Sequence, residues 1–100
     1  MKTTRFLLPL MALSALALPA SMAQAECYAD YKAKQEAPLR LHYGVAAIPG
    51  PACDSRAAAA EALAPRLRAE GWTLLNILSI FGPEGLDQRK DSAGPYFLRY

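Results

Sequence analysis

Residues 56–81 read RAAAAEALAPRLRAEGWTLLNILSIF, and this stretch decides the fold class. Its first part, 56–70, is built almost wholly from strong helix formers. Asp54 or Ser55 can accept a hydrogen bond from the first free amides of that helix, and Gly71 supplies a left-handed C-terminal cap. Ala59, Leu63 and Leu67 fall one turn apart and form the stripe that faces a sheet. Pro65 removes one intrahelical donor and clashes with the carbonyl four residues earlier, which predicts a kink or break near 61–64. Residues 72–81 then suit a strand, and the run is too short to span a membrane. Strict alternation would put Trp72, Leu74, Leu78 and Ile80 on one face and Leu75, Ile77 and Phe81 on the other. Both faces are apolar, so both call for cover.

On the N-terminal side, residues 39–48 read LRLHYGVAAI. Leu39, Leu41, Tyr43, Val45 and Ala47 alternate with Arg40, His42, Gly44 and Ala46, a period of two that predicts a half-buried strand. Pro49-Gly50-Pro51 stops it. Residues 27–37, CYADYKAKQEA, carry the helix formers Ala, Lys, Gln and Glu, so a short helix ending at Pro38 is expected there. On the C-terminal side, 82–95 reads as a long polar connection with room for one helical turn at Pro83. Tyr96-Phe97-Leu98-Arg99-Tyr100 reads as a closing strand. The expected fold is therefore α+β: a small three-stranded sheet in the order strand-helix-strand-strand, with an extra N-terminal helix and one disulfide. The strand–helix–strand unit closes right-handed, and the last two strands pair as an antiparallel hairpin.

The N-terminus carries Lys2 and Arg5, then an uncharged apolar run from Phe6 to Ala20, then Ala23-Gln24-Ala25. A positive start, an apolar middle and a small-x-small exit are the three parts of a secretory signal, expected to be cleaved after Ala25. Cys27 follows Glu26, not the small residue that a lipid-modification site needs. The reading divides the chain into a signal over 1–25 and a single small domain over 26–100, periplasmic or secreted, with no membrane anchor after cleavage. Without Lys2 and Arg5, the net charge of +2 falls to zero. A neutral domain with no basic run offers no electrostatic footprint for nucleic acid or acidic lipid. Cys27 and Cys53 are the only two cysteines. They are too far apart for a Cys-x-x-Cys redox pair, and in an oxidising compartment they are expected to form a structural disulfide.

Ala69-Glu70-Gly71-Trp72-Thr73-Leu74, at the helix-to-strand junction, resembles the small bacterial family called domain of unknown function 4177. Phe97-Leu98-Arg99 is similar to that family's closing Phe-x-Arg strand. The resemblance covers about residues 39–100 and implies a strand-helix-strand-strand fold. The family's first strand usually opens on a Tyr-Lys-Val-like pattern where this chain reads Leu41-His42-Tyr43-Gly44-Val45, and the expected N-terminal helix and the cysteine pair are additions. It implies no activity.

The sequence shows no catalytic constellation, no metal-ligand spacing, no nucleophile elbow and no phosphate loop, and it calls for no cofactor. His42, the only histidine, is most simply a sheet residue. Asn76 inside an apolar strand needs hydrogen-bond partners. The charges of 84–91 read as a solvated loop, or as a recognition loop. Two functions stay open. One is a non-enzymatic binding or protein-interaction module, a homodimer or partner of another envelope protein, using Tyr28, Tyr31, Tyr96, Arg99 and Tyr100. The other is a small ligand-binding protein or minor enzyme with a pocket near His42 and Asn76, helped by Arg40 or Arg99.

Overall fold

A computed structural model describes residues 25–100. The expected secretory segment lies outside them, apart from Ala25. Ala25 opens strand β1, Ala25–Gln35, which turns into β2, Arg40–Pro49. A 3-10 turn over Gly50–Asp54 leads to helix α1, Arg56–Arg68, and then to β3, Thr73–Phe81. A second 3-10 turn, Pro83–Gly85, opens helix α2, Leu86–Ala93, and a third covers Gly94–Tyr96. The three strands form one antiparallel sheet in the order β2-β1-β3. The α+β class, the three-stranded sheet and the Cys27–Cys53 disulfide are as the sequence predicts.

The segment 27–37 is not a helix but the central strand. Cys27, Ala29, Tyr31 and Ala33 are all buried, Tyr31 completely. Tyr28, Lys32 and Lys34 alternate with them and are half-buried or exposed. On a helix that apolar row would point in all directions; on a strand it points one way, into the core. Helix propensity separates these residue types by only tenths of a kcal/mol each, so burial decides.

β3 departs from simple alternation. Ala29 pairs with Ile80, Tyr31 with Ile77 and Ala33 with Leu74, so two residues of β1 span three of β3 at each step. Leu78 and Leu75 are the extra residues of two bulges, and each bulge resets the alternation. The effect is to bring Ile80, Ile77 and Leu74 onto the α1 face together. Trp72, Leu74, Ile77 and Ile80 thus pack with the α1 side, while Phe81 stays on the opposite face beside Tyr28.

The sheet is covered on that side by α1, through Ala59, Leu63 and Leu67. Ser55 caps it by accepting a hydrogen bond from the Ala58 amide at 3.0 Å. The helix runs unbroken through Pro65, so no break forms at 61–64. The proline costs one hydrogen bond and leaves the Glu61 carbonyl without its i+4 donor. At the C-terminal end the Trp72 amide bonds the Leu67 carbonyl and the Gly71 amide bonds the Arg68 carbonyl, both at 3.0 Å. This is a Schellman cap, and Gly71 occupies its left-handed position at φ +86°.

The closing strand does not form. The chain leaves β3, runs through α2, and reaches the far edge of the sheet at β2. There Phe97 makes one isolated parallel bridge to Val45, and the Leu98 amide bonds the Val45 carbonyl at 2.8 Å. Leu98 has φ +58°, outside the extended region a ladder requires, so pairing stops there. The hairpin of 72–81 with 96–100 is not present. β2 and β3 are both antiparallel to β1 and so run parallel to each other, and β2, α1 and β3 form the expected strand–helix–strand crossover with β1 inserted between its two strands. In β2, Gly44 lies opposite Tyr31, and a side chain at Gly44 would overlap the Tyr31 ring, whose Cζ lies 2.5 Å from where a Cβ would stand. The tyrosine ring thus takes the space the glycine leaves.

Candidate functional site

Sequence order fixes one boundary of the site. β3 pairs with β1 alone, so its outer edge carries N–H and C=O groups with no strand partner among the described residues. α1 precedes β3 and doubles back over it through the Gly71 cap. Between the helix and the open edge runs a groove of about 400 Å³. Its helix wall is Ala60, Glu61, Ala64 and Arg68, which share one face of α1, and its strand wall is Thr73, Leu74, Leu75 and Asn76. Trp72 closes one end. Leu75, the bulged residue, is 48% exposed beside it. Glu61 and Arg68 are exposed, and neither makes an ion pair among the described residues.

Trp72 is held from behind by an aromatic cluster. The His42 ring stands edge-on to Trp72 at 4.3 Å and edge-on to Tyr31 at 5.3 Å. Tyr96 stacks on the other face of His42 at 3.7 Å, with Tyr100 farther out at 6.0 Å. The Arg99 guanidinium lies 5.8 Å from both tyrosine rings. The Tyr31 hydroxyl and His42 Nε2 are 2.9 Å apart and share a hydrogen bond. His42 is buried, and its Nδ1 finds no partner. Burial, and then the nearby charge of Arg99, push its pKa down to about 4. Burial also raises the Tyr31 hydroxyl well above the ordinary tyrosine range. The ring is therefore neutral at pH 7 and serves as a packing plate.

A pH dependence follows. The His42 pKa is lowered on folding from about 6.5 to about 4, so between those values the unfolded chain binds more protons. Stability is expected to fall as pH drops from about 6.5 towards 4, by at most about 3 kcal/mol. Urea denaturation at several pH values checks it. His42→Phe should flatten the slope across that window, and an unchanged slope would assign the effect elsewhere.

The other sheet face holds a second polar cluster. Asp30 is 7% exposed and accepts from Ser79 Oγ at 2.6 Å, Tyr43 hydroxyl at 2.8 Å and Arg89 Nε at 3.1 Å. Burial alone would raise its pKa. The three hydrogen bonds and the Arg89 charge outweigh that and hold it below the ordinary carboxylate value. Tyr43 is pushed up to about 12 by burial and by the neighbouring carboxylate. Arg89 also lies over the Phe81 ring at 3.9 Å and donates to the Gly85 carbonyl at 2.8 Å. Every polar atom of Asp30 is thus occupied, and the cluster ties α2 to the sheet. The 84–91 segment is mostly helical, not a loop: Glu84, Asp87, Lys90 and Asp91 are solvated as expected, while Arg89 turns inward as this clamp.

The residues singled out from sequence divide differently in space. His42 pairs with Ala33 and Asn76 with Lys32, so they sit on opposite sheet faces, and Asn76 is exposed. They do not form one pocket. Asn76 lines the groove and His42 props its end. Tyr28 and Tyr31 do not share a face: Tyr28 stacks on Phe81 at 6.2 Å, while Tyr31 is fully buried and offers no surface. Tyr96, Arg99 and Tyr100 do come together. The stripe Ala60, Glu61, Ala64, Arg68 is not among the residues the sequence singles out; its i, i+4, i+8 spacing beside a junction leading into an edge strand is the signal that marks it.

Among the described residues no group of three or more His, Cys, Asp or Glu side chains could hold a metal ion, and no helix is long and apolar enough to cross a membrane. No family model, curated protein or solved structure matches the chain.

Proposed function

We propose that this protein is an exported, non-enzymatic interaction module that docks a polypeptide partner along β3. The observation that carries the reading is the groove itself, because it combines an open strand edge with a helix wall. An extended or paired chain gains main-chain hydrogen bonds from such an edge and side-chain contacts from such a wall. The titratable groups buried in the core and under α2 support the same reading, since His42, Tyr31 and Asp30 are engaged with one another or with α2. Tyr96, Arg99 and Tyr100 lie behind Trp72 on the β2 side and do not line the groove. The disulfide and the 1–25 segment support an envelope or extracellular location, where such bridges persist.

Site-specific photo-crosslinking in the producing cell tests this. A photoreactive residue at Leu75 should yield a protein adduct in the envelope fraction, with the protein itself starting at Glu26. The same residue at exposed Gln88 on α2 should yield none. Absence of any adduct from Leu75, or equal adducts from both positions, would sink the reading.

A further inference from the structure

We infer that the partner in this groove is a second copy of the same chain, joined about a two-fold axis that passes between the two β3 edges near Leu75. This rests on the groove being the docking site and adds the identity of the occupant.

The first argument is charge. Glu61 and Arg68 are seven residues apart on α1, about 10 Å along the axis, too far to pair within one helix. Two antiparallel copies of α1 crossing at Ala64–Pro65 would set each Glu61 opposite the partner copy's arginine at position 68. The face is self-complementary, which is what a two-fold interface requires. At the crossing point stands Ala64, with Ala60 one turn away, and their small side chains let two helices approach to about 8 Å.

The second argument is register. α1 and β3 run in opposite directions from the Gly71 turn. The helix midpoint at 64–65 lies about 10 Å back from that turn at 1.5 Å per residue. About 10 Å forward along the strand, at 3.3 Å per residue, is residue 74. The axis that pairs the helices therefore also crosses β3 beside Leu75, the most exposed apolar residue of that strand. An antiparallel β3–β3 pairing about this axis keeps both α1 helices on one face of a six-stranded sheet and buries both Leu75 side chains against each other. One operator thus satisfies the strand edge, the leucine, the small residues and both charges. A foreign peptide would need none of this internal symmetry.

The test is sedimentation equilibrium of the oxidised protein from low micromolar to hundreds of micromolar, with circular dichroism as a fold control. The unmodified protein should dimerise in that range. Glu61→Arg and Arg68→Glu should each weaken the dimer roughly ten-fold, by converting two cross-axis attractions into repulsions. Combining both reversals should restore it. Leu75→Lys should leave a folded monomer. A monomer at every concentration would overturn the inference, as would a dimer indifferent to all the variants. Crosslinking at Leu75 separates the two readings: an adduct of twice the chain mass supports the second copy. An adduct of another mass overturns the second copy and leaves the interaction module standing.

Discussion

Cys53→Ser, or reduction of the bridge, is expected to destabilise the protein by about 3–4 kcal/mol. Cys27 lies near the start of β1 and Cys53 in the turn before α1, 26 residues apart with Cα atoms 6.1 Å from each other. The loop between them contains all of β2. Opening it returns that loop's closure entropy to the unfolded chain. The core it supports is small. Apart from Tyr31, Leu63, Leu67, Ile48 and Trp72, it is made chiefly of alanines, and a domain of this size has a total stability of only a few kcal/mol. The loss should therefore appear as partial unfolding at 37 °C, beginning where Cys27 holds β1 against Ile48. Urea denaturation with and without reductant measures it, and hydrogen exchange locates it. A shift below about 1 kcal/mol would mean that the bridge is not a principal support.

Asp30→Ala is expected to cost about 3–5 kcal/mol, the usual price of removing one partner of a buried pair. The substitution strips the acceptor from Ser79, Tyr43 and Arg89 at once. Arg89 has a route to solvent, but only by leaving the Phe81 ring and loosening α2. The double variant Asp30→Ala with Arg89→Met should regain more than half of the loss, because no charge is then left unpaired and the methionine keeps the ring covered. Additive losses in that cycle would contradict a coupled clamp. The acid side has a definite sign: Asp30 has a folded pKa below its unfolded value, so its contribution is present above about pH 4 and is lost as pH falls below that.

Much of the fold was legible because its signals are local. Ser55, the helix formers of 56–68 and Gly71 name α1 and both of its ends, and each acts through neighbours within five residues. The alternation of 39–48 names β2 but not its buried face: His42, Gly44, Ala46 and Ile48 turn into the core, while Leu39 and Leu41 are exposed. The alternation of 27–35 was equally present, but Ala, Lys and Gln also suit a helix. Only the presence of α1 and two flanking strands makes burying Cys27, Ala29, Tyr31 and Ala33 worth more than propensity. The site was scarcely legible, for a related reason. Bulges at Leu78 and Leu75 depend on the pairing register with β1, so no reading of 72–81 alone could place Ile77 beside Ile80 or expose Leu75. Arg89 finds Asp30 across 59 positions of sequence, a contact that exists only once α2 crosses the sheet. Elements whose hydrogen bonds close locally, and the single possible cysteine pairing, can be read from the chain alone. Which strand is central, which edge stays open and which side chains share a face cannot, since those are set by burial and strand order between segments distant in the chain.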